Sequence, residues 1–200
     1  MKKICIVTTM WTSINNWFRP IFEEYKKLGV DVTVVCNMSA EYEEELNEQY
    51  PYIHTKSFPF PRGISVGGSL RSIRDLTQYF KKEKFDFVLC TNVLSAIPNT
   101  DDRKKVLSNI KQLLKPTGNA LISVQYRNSY FNTYSTKEGC VKYEDGWIIK
   151  RGNSFSFYGI IFPDKLIKLC GESGLIVENI YKHDGSVYLT VKSDVDIQIK

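Results

Sequence analysis

Five short apolar runs, separated by stretches of helical period, constrain this chain more than any other feature. Lys3–Thr8, Asp31–Cys36, Ile53–Phe60, Phe85–Cys90 and Ala120–Val124 read as strands, the first two so apolar and β-branched that both faces must be covered. Between them, Trp17–Leu28 repeats Phe18, Ile21, Phe22, Tyr25 and Leu28 at three- and four-residue spacing, an amphipathic helix that Gly29 ends. Ser39 is placed to cap a short acidic helix over Glu41–Glu48, and Ser69 one over Leu70–Lys82. Asp101–Leu114 is a further helix, stopped by Lys115-Pro116-Thr117-Gly118. After a long polar and aromatic stretch, Gln125–Gly159, come a helix over Pro163–Ser173 and two strands, Leu175–Tyr181 and Ser186–Lys192, joined at Asp184-Gly185. Within the long stretch, Tyr143–Arg151 has the pattern of a hairpin around Asp145-Gly146. Such alternation requires parallel strands with right-handed crossovers. The expected fold is therefore α/β and Rossmann-like: a mostly parallel sheet with helices on both faces and a C-terminal antiparallel hairpin, all in one domain over residues 1–200.

The totals narrow the function classes. A chain of 200 residues supports one well-filled core. No apolar run approaches the ~18 residues that cross a bilayer. The segment Met1–Thr9 reads as a first strand rather than a signal peptide, so the expected location is cytoplasmic. Five scattered cysteines without a CxxC pair, beside two histidines, argue against a structural metal or a disulfide framework. The net charge of +5 is spread along the chain, as on an ordinary solvated surface, and no nucleic-acid partner is expected.

Two resemblances meet at the fourth strand. From about residue 85 to 200 the chain resembles the C-terminal half of class I S-adenosylmethionine-dependent methyltransferases. The residues that carry this are Phe85-Asp86-Phe87-Val88-Leu89-Cys90-Thr91-Asn92, the helix from Asp101, and Leu114-Lys115-Pro116-Thr117-Gly118 leading into the fifth strand. Residues 1 to about 88 are similar to the N-terminal domain of family 4 glycosyltransferases of the two-domain GT-B type. That similarity rests on Lys3–Thr9, Phe18-Arg19-Pro20, Lys27–Val35 and Ser57-Phe58-Pro59-Phe60-Pro61-Arg62. The join is open to three readings: natural recombination, a designed chimera, or a methyltransferase with a divergent first half.

The methyltransferase resemblance implies S-adenosylmethionine at the carboxyl ends of the first strands, held by Thr8, Thr9, Asn37, Thr91, Asn92 and Val93. The family's glycine-rich loop after strand one is replaced by Thr8-Thr9-Met10-Trp11-Thr12-Ser13, where Trp11 must point away from the ligand. Its acidic residue ending strand two is replaced by Asn37, with Glu41 further on either reaching the ligand or standing as a solvated helix-end carboxylate. Asn92 either lies beside the ligand or caps a turn with its side chain. After strand five, Tyr126 would orient the acceptor and Arg127 would hold a carboxylate or phosphate, or both belong to a surface loop. His183 reads as a solvated turn residue. The implied activity is methyl transfer to a small or sugar-like acceptor, in an active or degenerate enzyme. The alternatives are a glycosyltransferase acceptor-domain fragment in polysaccharide assembly and a catalytically silent chimeric domain. Oligomeric state is left open.

Overall fold

A computed structural model describes residues 1–58, 78 and 83–194, without the side chains of Tyr130 and Ser154. The loop read over Arg62–Gly68 and the helix over Leu70–Lys82 thus lie outside the described residues, apart from Gln78, which is helical.

Strand β1 (Lys3–Met10) is an inner strand, third of a seven-stranded sheet. It pairs in parallel with β2 (Asp31–Asn37) on one side and β4 (Phe85–Thr91) on the other. β3 (Ile53–Ser57) continues in parallel outside β2, and β5 (Leu114–Gln125) outside β4. β10 (Ser186–Ser193) and β9 (Leu175–His183) complete the sheet antiparallel, giving the order β3-β2-β1-β4-β5-β10-β9. The first and second halves of the chain are therefore hydrogen-bonded edge to edge, with Ile4 opposite Phe87 and Val7 opposite Cys90. The Lys3 amide also donates to the Asp86 carboxylate at 2.8 Å.

Because strand side chains alternate, each face of the sheet builds its own core. Ile6, Val32, Val34, Cys36 and Leu89 are buried with Ile14, Phe18, Phe22, Tyr42 and Leu46. The last two belong to helix α3 (Ala40–Gln49), and the three before them to the helical run that follows β1. Cys5, Val7, Val35, Val88, Cys90, Ala120, Ile122 and Val124 form the other face. They meet Leu107, Ile110 and Leu113 of α4 (Thr100–Leu113) and Leu166, Leu169 and Cys170 of α6 (Pro163–Glu172). Helices cover both faces, as the alternation required.

Several local expectations change. The polar stretch after β1 is helical: α1 (Trp11–Ser13), a π-helical segment Ile14–Phe18, then α2 (Arg19–Lys27). Pro20 has no N–H to return to the preceding turn, and the wider π turn keeps Ile14 and Phe18 on the buried face. The third strand stops at Ser57 rather than Phe60, and residues 59–60 lie outside the described range. Asn99, not Asp101, caps α4, its side-chain oxygen accepting from the Asp101 and Asp102 amides at 2.8 and 3.2 Å. The Lys115–Gly118 stop is a bulge inside β5, since Phe85 pairs with Leu114 and Phe87 with Asn119. Gly118 is required there: a Cβ would stand 2.7 Å from the Phe85 carbonyl oxygen. The closing turn is as expected, with Asp184 and Gly185 both left-handed at φ 44° and 70°.

The stretch after β5 departs most from its reading. It holds a short helix α5 (Ser129–Tyr134) and a separate antiparallel sheet of β6 (Cys140–Tyr143), β7 (Gly146–Arg151) and β8 (Ser154–Gly159). The hairpin at Asp145-Gly146 is present, and a third strand extends it. The Arg103 side chain, fully buried on α4, clamps this insertion to the main body. Its guanidinium forms a fork onto Asp145 at 2.5 and 2.8 Å, and its Nε donates to the Ile97 carbonyl at 2.7 Å. Lys165 of α6 reaches the same carboxylate at 2.7 Å. Burial pushes the Asp145 carboxyl up, but the hydrogen bonds and charges of Arg103 and Lys165 outweigh it and hold it below the usual carboxylate range.

Replacing Arg103 by Leu leaves that carboxylate half-served in a low-dielectric place. The expected cost is about 3 kcal/mol, or a fall of roughly 6–12 °C in Tm for a chain of this size, read by thermal denaturation at neutral pH. The depressed Asp145 pKa adds a sign. The stability it contributes is complete above the unfolded-state carboxylate value of about 4 and drains as pH falls through the lower folded value. The wild-type advantage over Arg103→Leu should therefore shrink in acid.

Candidate functional site

The carboxyl ends of β1, β2, β4 and β5 lie along one edge of the sheet. The chain moves outward from β1 through β2 to β3, then returns to β4 on the other side, so the connections diverge between β1 and β4. At such a switch point an open α/β sheet leaves a crevice for a ligand.

At this edge β1 ends in the buried Thr8 and the half-buried Thr9. Met10 pairs with Asn37 across a register shift, bringing the exposed end of β2 beside that of β1. β4 ends in Thr91, paired with Ser123. The next residue, Asn92, turns the chain with φ 56° while its amide donates to the Ser123 carbonyl at 2.9 Å, and Val93 is buried behind it. Asn92 is thus a left-handed turn residue through its backbone, with its side chain exposed at the edge. Thr8, Thr9, Thr91, Asn92 and Val93 flank the crevice directly, and Asn37 stands one strand away, about 4.8 Å.

Tyr126 and Arg127 leave β5 at the same edge, and both amides donate to the Gly185 carbonyl, at 2.9 and 3.0 Å. The Tyr126 ring packs 6.3 Å from Phe162, and Arg127 is exposed. His183 ends β9, four strands from β1 and so roughly 19 Å away, stacked on Tyr181.

No loop separates β1 from its helix: the strand turns directly into α1 at Met10, which makes no side-chain cap. The first amides of the helical run are left for water or a ligand, and the positive end of its dipole faces the edge. The Trp11 ring lies 4.9 Å from that of Tyr42 on α3. Tyr42 in turn donates to Asn15 at 2.6 Å and lies under the Arg19 guanidinium, which pairs with Glu45 at 2.7 Å. Trp11 is therefore held against the β2–β3 crossover. Glu41 sits in the first turn of α3, where its own backbone amide and Ser39 hold its carboxyl below the usual range.

Sequence reasoning missed Gln125, Asn128, Phe131, Tyr134 and Tyr158. The Tyr158 hydroxyl bonds the Gln125 side-chain oxygen across a separation of 33 residues, which no local pattern signals. It also missed Ser95, just beyond the β4 turn, whose buried hydroxyl has no partner among the described residues.

Among the described residues no three His, Cys, Asp or Glu side chains gather to hold a metal ion, and no helix is long and apolar enough to cross a membrane. A surface hollow lined in part by Lys84, Lys111 and Leu114 sits at the opposite edge, where the Lys84 ammonium bonds the Gln112 carbonyl at the end of α4.

An open sheet with this order, its polar ends gathered at the β1–β4 crevice, defines a Rossmann-like scaffold. A family model described as a methyltransferase domain matches residues 16–156, well over half of the sequence, and the chain belongs to that family. The match runs unbroken through residues 85–88, where the two resemblances meet, and gives no support to a glycosyltransferase-like half or a chimeric join. A curated Escherichia coli K12 protein, the uncharacterised YmfD, is 40% identical over 109 residues, 54% of this chain and 48% of that protein. The match thus spans about half the length of that relative. The solved S-adenosylmethionine-dependent methyltransferase of Clostridium acetobutylicum superposes with TM-score 0.62 at 11% identity, over 96% of this chain and 85% of that one. The Burkholderia thailandensis 1,6-didemethyltoxoflavin-N1-methyltransferase, solved with 1,6-didemethyltoxoflavin and S-adenosylhomocysteine, gives TM-score 0.61 at 13% identity, covering 95% of this chain and 70% of that one.

The cysteines are no part of this edge's chemistry. Burial pushes the thiols of Cys36, Cys90 and Cys170 up to about 12, and that of Cys5 higher still, so none supplies a thiolate. Cys140, on β6, is half-exposed. Brief treatment of the native protein with iodoacetamide should label Cys140 and spare the other four, as read by peptide mass spectrometry. Labelling of Cys5 or Cys90 would contradict the burial described.

Proposed function

We propose that this chain binds S-adenosylmethionine across the carboxyl ends of β1, β2 and β4 and transfers its methyl group to a small-molecule acceptor at the end of β5. The observation that carries the reading is the gathering of Thr8, Thr9, Asn37, Thr91 and Asn92 around the crevice of a sheet whose family is a methyltransferase domain.

The donor set suits that cofactor. The uncapped amides of Trp11–Ser13, with the Thr8 and Thr9 hydroxyls, suit a carboxylate. The Asn37 amide suits a ribose hydroxyl, although it lacks the charge that would strengthen the bond. The Trp11 ring is held on Tyr42 of α3, on the β2 side of the corner. When bound, S-adenosylmethionine supplies an activated methyl group on a sulfonium. The ends of β4 and β5 contribute amides, hydroxyls and phenols rather than a carboxylate or imidazole, so the protein's share is to align two reactants. Tyr126 lies on the acceptor side, and Arg127 at the rim is free to face an anionic group. Residues 1–200 are read as one domain acting in the cytoplasm, since both halves feed the same sheet.

Calorimetric titration with S-adenosylhomocysteine tests the proposal, and absence of heat at millimolar ligand removes it in favour of a silent domain. The Asn37→Asp variant adds direction. A charged acceptor for the ribose hydroxyls gains about 1 kcal/mol over a neutral one, so binding should tighten roughly fivefold.

A further inference from the structure

We infer that the end of β5 carries a subsite for a planar, uncharged aromatic ring bearing a hydrogen-bond acceptor, formed by Gln125 together with Tyr134 and Tyr158. The subsite's role as the methyl acceptor's berth rests on the proposed methyl transfer; the ring binding itself does not.

The amide of Gln125 fixes the polarity of the subsite. Its side-chain oxygen accepts the Tyr158 hydroxyl and stands 3.5 Å from the Asn128 side-chain nitrogen. An amide oxygen has two lone pairs, and both are directed at these donors. The amide nitrogen is thereby turned the other way, and what Gln125 offers a ligand is a donor. Burial raises the Tyr158 pKa, so the phenol keeps its proton and holds this orientation through the physiological range.

The rings fix the shape. Phe131 lies 5.3 Å and Tyr134 6.4 Å from Tyr158, at interplanar angles of 51° and 56°. Phe131 is buried and supports the others, while Tyr134 and Tyr158 remain half-exposed. Two half-exposed tyrosine side chains beside one outward donor suit a flat ligand with one acceptor atom. A saturated sugar has no π face to set against these rings, and its hydroxyls donate and accept all round its edge, so a single outward donor does not select it. The place is right as well: Gln125 lies two residues beyond Ser123, the partner of Thr91 at the end of β4, and so opens beside the crevice.

Coumarin, a neutral planar ring with one carbonyl, and methyl glucoside serve as probes in ligand-observed NMR titrations of the full chain. Coumarin should bind in the wild type and methyl glucoside should not. Gln125→Glu, which replaces the outward donor by an acceptor, should weaken coumarin at least tenfold. Tyr158→Phe, which frees the amide to turn, should weaken it severalfold. Both variants should keep the wild-type affinity for S-adenosylhomocysteine, which distinguishes a lost subsite from a lost fold. No coumarin binding at millimolar concentration overturns the inference, as does binding indifferent to Gln125→Glu or displaced by methyl glucoside. Coumarin binding that responds to both variants in a protein that ignores S-adenosylhomocysteine upholds the subsite and removes methyl transfer.

Discussion

The parallel ladder between β1 and β4 is the constraint on which the rest depends. It joins the two halves of the chain into one sheet, and it sits where the crossovers diverge. Remove it and the crevice disappears together with the sheet's continuity, because the same backbone hydrogen bonds create both. Position and stability are therefore not separable here. Thr8 and Thr91 lie at the edge because they fall near or at the ends of strands whose middles, Ile6, Val7, Leu89 and Cys90, are buried on both sides. A polar ending to an apolar strand is what brings hydroxyls to the rim of a dry core.

The insertion between β5 and α6 obeys a different logic. Its three strands bury few side chains of their own, chiefly Ile149 and Phe157, which is too little to hold a small sheet in a fixed attitude by apolar contact. The buried Arg103 supplies the missing specification. A guanidinium in that place needs every donor served in a planar arrangement, and only one placement of Asp145 and the Leu94–Ile97 carbonyls does so. A buried charge pair of this kind contributes little net stability over an apolar replacement of equal shape. What it contributes is orientation, and the insertion it orients carries Tyr158 to Gln125.

The legibility of this chain follows range of interaction. Strands β1, β2, β4 and β10 and helices α3, α4 and α6 could be read because their side-chain period is local, and the closing turn because Asp184-Gly185 has a backbone preference of its own. The helical character of residues 11–16 was hidden by Thr12, Ser13, Asn15 and Asn16, poor helix formers retained because Ile14 and Phe18 bury their bulk. The strand β8 did carry a signal, the alternation Phe155-Ser156-Phe157, with Phe155 exposed and Phe157 buried. It was masked by the aromatic richness around it. The glycosyltransferase-like first half shows the limit of pattern without context: apolar strand, helix, apolar strand is shared by every fold of this architecture. The residues at the ends of β1, β2 and β4 were named from the methyltransferase resemblance, and the strand order puts those ends along one edge of the sheet. The pairing of Gln125 with Tyr158 was not, because it depends on how the insertion folds back.

The corner after β1 shows how such a site can change its chemistry without changing its place. A glycine-rich loop lets a backbone approach a ligand by removing side chains. Here the strand instead continues to Met10 and enters a helix without an intervening turn, so amides at a helix start stand where that loop would be, and Trp11 lies on Tyr42. That arrangement needs its own support. The stack with Tyr42, the Tyr42 bond to Asn15 and the Arg19–Glu45 pair provide it, tying the corner to α3 from three directions.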